Sequence, residues 1–234
     1  MGKSHWDSQV TQEWNRNAAN WHSRSKEMWE SGSRKTVLPL FTRLVAADSG
    51  PVLDAGCGDG YASLKLARGG YRVQGVDISD DMVRLANQQA AGVNGVSFQT
   101  GDVTGLPFAD GAFAGILSIN VVEWTERPLA ALEEFHRLLH PGGVLLLGIL
   151  GPTAGPRGYS FPRLYGKPAI QNTMMPWEAC RLAEETGFRL LAEEHVYKEG
   201  VTPDIAGRLS VELRQAVSFM TLFGLRKQGT AASG

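Results

Sequence analysis

The sequence predicts an α/β protein with a doubly wound sheet and an N-terminal helical lid. Three observations carry that prediction. From about residue 50 onward, apolar runs of strand length alternate with amphipathic runs of helix length, and parallel strands need a crossover helix for each return. The first apolar run closes in a glycine-rich turn, "VLDAGCGDG" at 52–60. Acids stand at the ends of the first three strands, as Asp54, Asp77 and Asp102.

The elements follow in order. Residues 1–35 read as a polar helical lid in which Trp6, Trp14, Trp21 and Trp29 recur every seven or eight residues, near one helix face. The main domain spans 36–228. "PVLDAG" is a buried strand, and "YASLKLARGG" is a helix stopped at a glycine pair. "YRVQGVD" is the second strand. Ser79 caps the helix of "SDDMVRLANQQAAG", whose first-turn acids suit the helix dipole. "VSFQTGD" and "AFAGILSIN" are the third and fourth strands, "RPLAALEEFHRLLHPGG" is a helix, and "VLLLGILG" is the fifth strand. The Pro/Gly-rich stretch 151–176 is long for a plain connection. A helix at 176–187, the strand "FRLLAEEHVY" and a helix near 204–216 follow. "SFMTLFGLRK" is assigned to a final strand, although a buried helix shows the same pattern at that length. "GTAASG" at 229–234 reads as a flexible tail.

Composition narrows the partners. The chain has 234 residues, 43% of them hydrophobic, which is enough for a sizeable core. Its 23 basic and 24 acidic residues are interspersed, with no basic stripe for nucleic acid and no cationic amphipathic helix for a membrane. The longest strongly apolar run, "VLLLGIL", is far too short to span a bilayer. Two cysteines make no disulfide framework. The expectation is a cytoplasmic monomer or homodimer acting on a small molecule.

The glycine turn sits where doubly wound sheets bind ligands, beyond the carboxyl ends of the strands. Gly56, Gly58 and Gly60 allow a tight turn and close approach to the main chain. Asp77, 21 residues after Gly56, is placed to accept both hydroxyls of a ribose, and Asp102 to meet an adenine amine. The spacing is G-x-G-x-G followed by the bulky Tyr61, not the dinucleotide pattern G-x-G-x-x-G. Asp54, just upstream, would repel a pyrophosphate and attract a cationic ligand. This favours S-adenosylmethionine over NAD.

Together, "VLDAGCGDG", "GVDIS", "GDVTGLPFADGAFAGILSINVVEW" and "LLHPGGVLLLGIL" resemble the class I S-adenosylmethionine-dependent methyltransferases of the small-molecule group. The resemblance covers roughly residues 50–150 and extends to bacterial members in "FPRLYG" and "NTMMPW". It implies a Rossmann-like seven-stranded sheet with its last strand antiparallel. It also implies that the glycine loop holds the methionine part, that Asp77 holds the ribose, and that Ile78 and Met82 flank the adenine. Asp102 with Val103 would read the adenine edge, and the loop at Asn120 would close over the cofactor. The chain departs from many relatives at Trp124, where they carry histidine.

Outside this core, the lid places Trp21 over the cofactor, and Arg34 is a candidate partner for the cofactor's carboxylate. Trp14, Trp124, Tyr159, Tyr165 and Met174 are the expected acceptor pocket, within an ordered 151–176 wall that also carries Phe161. No catalytic residue is assigned; Glu123, His22 and His195 are the base candidates. His136 and His140 lack a third ligand, so no metal is expected. An NAD(P)-dependent oxidoreductase and a non-catalytic S-adenosylmethionine-binding protein are the alternatives.

Overall fold

The computed structural model describes residues 4–229. The expected tail lies outside these, apart from Gly229. Helix α1 (His5–Glu30) opens with a capping box: the Ser4 hydroxyl accepts from the Asp7 amide, and the Asp7 carboxylate accepts from that of Ser4. Its buried residues Val10, Thr11, Ala18 and Ser25 share one face. Helix α2 (Val37–Leu44), to which the sequence reading assigned no element, fully buries Val37, Leu40 and Phe41.

Strands β1 (Val52–Ala55), β2 (Val73–Asp77), β3 (Val96–Thr100), β4 (Phe113–Ile119) and β5 (Leu139–Leu150) alternate with α3 (Tyr61–Arg68), α4 (Asp80–Gln89) and α5 (Pro128–Leu138). Helix α6 (Pro176–Glu185), β6 (Phe188–Tyr197), α7 (Pro203–Gly207), α8 (Val211–Ala216) and β7 (Ser218–Lys227) complete the chain. The sheet has seven strands in the order β3-β2-β1-β4-β5-β7-β6. Strands β1 to β5 pair in parallel, and β7 is antiparallel to both its neighbours. The pleat sends Leu145, Leu147 and Ile149 to a core beneath α5 and α6, and Val144 and Leu146 to a core beneath α2 and α3.

Three boundaries differ from expectation. The single helix near 204–216 is two, because Ser210 starts a new one, its hydroxyl accepting from the Leu213 amide at 3.4 Å. Strand β5 begins at Leu139, so "HPGG" belongs to it rather than to the helix end. The 151–176 stretch contains a 3-10 segment, Gly155–Tyr165, fastened by the Arg157 guanidinium to the carbonyls of Leu150, Gly151 and Met174.

Strand order reverses between β1 and β4, which opens a crevice at their carboxyl ends. Helix α1 crosses that crevice and packs on α3 and α4. Its side chains bond to the loops at the strand ends. Trp6 Nε1 donates to the Trp124 carbonyl at 2.7 Å, and Asn15 Oδ1 accepts from Ser79 Oγ at 2.6 Å.

Candidate active site

Two cavities meet in the crevice. The first encloses about 670 Å³ including its mouth. Gly56, Gly58, Asp77, Ile78, Met82, Asp102 and Val103 line it from the strand ends, and Val10, Trp14 and Trp21 from α1. Gly58 has φ +54, and a Cβ built there would lie 3.1 Å from Trp21 Nε1. The turn is therefore bare by necessity, in conformation as well as in space. Asp77 is buried. Its two oxygens accept from the backbone amides of Ser79 (2.9 Å) and Gly58 (2.8 Å), and each retains a lone pair for a ligand. Burial lifts its pKa to about 6 against those amide bonds. Asp102 is held by the amide and hydroxyl of Thr104 at 2.9 and 2.7 Å.

The second cavity, about 1390 Å³ with its mouth, lies beyond Asn120 and Trp124. Its walls include Asn17, Arg24 and Met28 of α1, Arg34, Leu150 and Tyr159. Trp14, Trp21, Asn120 and Trp124 line both cavities. The aromatic rings run Tyr159–Trp124–Trp14–Trp21, each edge-on to the next at 5.0 to 5.5 Å. Arg34 is buried against the Trp21 ring, 4.7 Å from its centroid, and donates to Asn120 Oδ1 at 3.1 Å. Burial lowers its pKa only to about 10, so it stays charged at neutral pH. It takes part in none of the ion pairs among the described residues.

A family model described as a methyltransferase domain matches residues 53–147, from β1 to β5. Over residues 53–147 the chain is thus similar to methyltransferase domains. Over 99 residues it is 37% identical to a malonyl-[acyl-carrier protein] O-methyltransferase from Erwinia pyrifoliae, covering 42% of this chain and 37% of that one. The chain spans less than half the length of that relative and of others it matches. Among solved structures, a chain of the Haloferax volcanii complex between the Trm112 methyltransferase activator and a methyltransferase superposes with a TM-score of 0.73. It shows 20% identity, over 96% of this chain and all of that one. The [4+2]-cyclase SpnF superposes at 0.65 with 21% identity, over 86% and 82%. At such identities these two establish the fold alone.

Several predicted site residues stand away from the two cavities. Asp54 is turned away from the cleft: the pleat points it beneath α3, where it accepts from Ser63 Oγ at 2.5 Å and burial lifts it to about 7. Gly60 does not line the cleft; it is the N-cap of α3, and a Cβ there would meet Phe98 at 2.7 Å and Ala86 at 2.9 Å. It permits close packing of helix on sheet, the role expected of the missing third glycine. Met174 is buried in the core, and Tyr165 is 70% exposed against Phe161, away from both cavities.

None of the three base candidates lines either cavity. Glu123 points inward from a short 3-10 turn, Val122–Trp124, fully buried, and accepts from the Leu150 amide at 2.6 Å. His195 lies on β6, stacked on Tyr197. His22 contacts Asp59 at 2.8 Å. Asp59 went unassigned in the sequence. It is 1% exposed and also accepts from Ser25 Oγ at 2.9 Å, so it fastens α1 to the glycine turn. Its signal was there: it is the one charged residue between Gly56 and Gly60. Among the described residues no three His, Cys, Asp or Glu side chains cluster to hold a metal, and no helix is long and apolar enough to cross a membrane.

Proposed function

We propose that the chain transfers the methyl group of S-adenosylmethionine to a small-molecule acceptor held in the second cavity. The observation that carries this reading is the pair of cavities joined at Trp14, Trp21, Asn120 and Trp124. One has the acids and bare glycines that suit a nucleoside; the other leaves room for a second ligand against the same wall. Asp77 holds the ribose hydroxyls, Ile78 and Met82 flank the base, Asp102 and Val103 read its edge, and Gly56 and Gly58 admit the methionine part. Arg34, a buried cation with no ion-pair partner among the described residues, takes the α-carboxylate.

The cofactor supplies a methyl group already activated on a sulfonium. The chain contributes alignment of two ligands and exclusion of water by α1 acting as a lid. With Glu123, His22 and His195 outside both cavities, none of them takes a proton from the acceptor. The acceptor meets an aromatic wall at Trp124 and Tyr159 and a polar rim at Asn17 and Arg24. The relative's name places a methyl on an acyl-carrier-bound acid; for this chain we take a free small molecule, of a size that the cavity between α1 and Pro156 and Tyr159 holds. Calorimetric titration with S-adenosylhomocysteine and NAD tests the reading. Binding of the first at one site per chain is expected, and binding of NAD alone would refute it.

A further inference from the structure

We infer that Trp14 and Trp124 form an aromatic seat for the cofactor's sulfonium, which makes the site prefer S-adenosylmethionine to the uncharged product S-adenosylhomocysteine. The inference rests on the cofactor assigned above. The residues common to both cavities mark where a methyl group crosses from one ligand to the other, and they are three tryptophans and an asparagine. No carboxylate is shared between the cavities. Asp7, Asp77 and Asp102 line the cofactor cleft alone, Glu13 and Glu27 line the second cavity alone, and Asp54 is turned beneath α3. A cation at the junction therefore meets aromatic rings, whose faces attract onium groups without a fixed negative charge. Trp21 already carries the Arg34 guanidinium, 4.7 Å from its centroid. Trp14 and Trp124 remain, with centroids 5.0 Å apart and planes at 74°. Trp124 is buried, and its carbonyl is tied to Trp6, so the pair is held in place from both sides of the crevice.

The charge on sulfur exists only before transfer. As the acceptor's lone pair forms the new bond to the methyl carbon, the S–C bonding pair stays on sulfur, which becomes neutral; the positive charge passes to the acceptor, which sheds it with its proton to water or cancels it by arriving as an anion. The attraction is then lost, and the product is held more weakly. Such an interaction favours loading of the charged cofactor over its product and does not accelerate the bond change itself.

The experiment is parallel calorimetric titration of the full chain with S-adenosylmethionine and S-adenosylhomocysteine, without acceptor. Wild type is expected to prefer the charged ligand. Trp14→Leu and Trp124→Leu should each weaken S-adenosylmethionine binding roughly tenfold, and S-adenosylhomocysteine binding by less than about twofold. Trp124→Phe should keep most of the preference. A merely structural role predicts equal losses for both ligands, and that result, or a wild type without preference, overturns the seat. Should Trp124→Leu fail to fold, the Trp14→Leu and Trp124→Phe ratios decide. A wild type that binds neither ligand removes the proposed function itself, and the seat with it.

Discussion

The cofactor cleft takes most of its lining from the ends of β1 to β4, while the second cavity takes most of its lining from α1, residues 32–34 and the segment after β5. The first wall is fixed by a rigid sheet, whose strand ends are set by the register of β1 with β2 and β4. The second is assembled from segments far apart in the chain, held by side-chain bonds such as Asn17 to Tyr159 and His22 to Asp59. Catalytic folds vary their chemistry through such grafted walls while the scaffold persists. Under the proposed function, cofactor choice belongs to the sheet and acceptor choice to α1 and the Gly155–Tyr165 segment.

The division can be broken most sharply at the glycine turn. Gly58→Val puts a branched side chain at φ +54 and against Trp21, so cofactor affinity should fall more than about a hundredfold with the circular dichroism spectrum unchanged. Normal S-adenosylhomocysteine binding by that variant would reduce the loop to a plain turn. Asp77→Ala comes next. It removes an anion able to take two hydroxyls, and should cost about 2–4 kcal/mol of cofactor binding, with Asp77→Asn costing less. Calorimetry that finds Asp77→Ala at wild-type affinity would reassign the ribose.

The junction between the two walls should respond more mildly. Asp59→Ala cuts the tie to His22 and Ser25 without touching the cleft lining. We expect affinity for S-adenosylhomocysteine to drop about tenfold and proteolysis near residue 32 to speed up; unaltered cleavage and affinity would mean that α1 needs no latch. Tyr159→Ala lies wholly on the second wall, so cofactor affinity should stay within about twofold. A larger change would show that the walls are coupled.

A separate test is the effect of pH on the stability of the cofactor-free protein. Burial raises Asp54 to about 7 and Asp77 to about 6 in the fold. The folded state thus holds these protons more tightly than the unfolded chain. Their contribution to stability is full below the unfolded carboxylate pKa of about 4 and is lost as pH rises through about 6 to 7. Asp54→Asn, which still accepts from Ser63, should flatten the decline in thermal midpoint between about pH 4 and pH 7. An unchanged slope would place the titration elsewhere.

The sequence by itself determined what depends on near neighbours along the chain. The strands, the Ser79 cap and the acids Asp77 and Asp102 at the ends of β2 and β3 were legible, because apolar periodicity and capping act over a few residues. So was the final strand "SFMTLFGLRK", seen as β7. Its direction followed only from the family resemblance, since an antiparallel neighbour leaves no mark on a fully buried run. Only the tertiary structure decided which of the site's side chains face the ligand. Asp54 was predicted as a cleft residue, but the pleat of β1 sends it under α3. Glu123 and Trp124 are adjacent, yet one turns into the core and the other into both cavities. Asp59 meets its partners 34 and 37 residues away, on a helix whose docking no local pattern specifies. Those choices are made when distant segments pack, because burial of apolar surface and pairing of polar groups are settled there rather than along the chain.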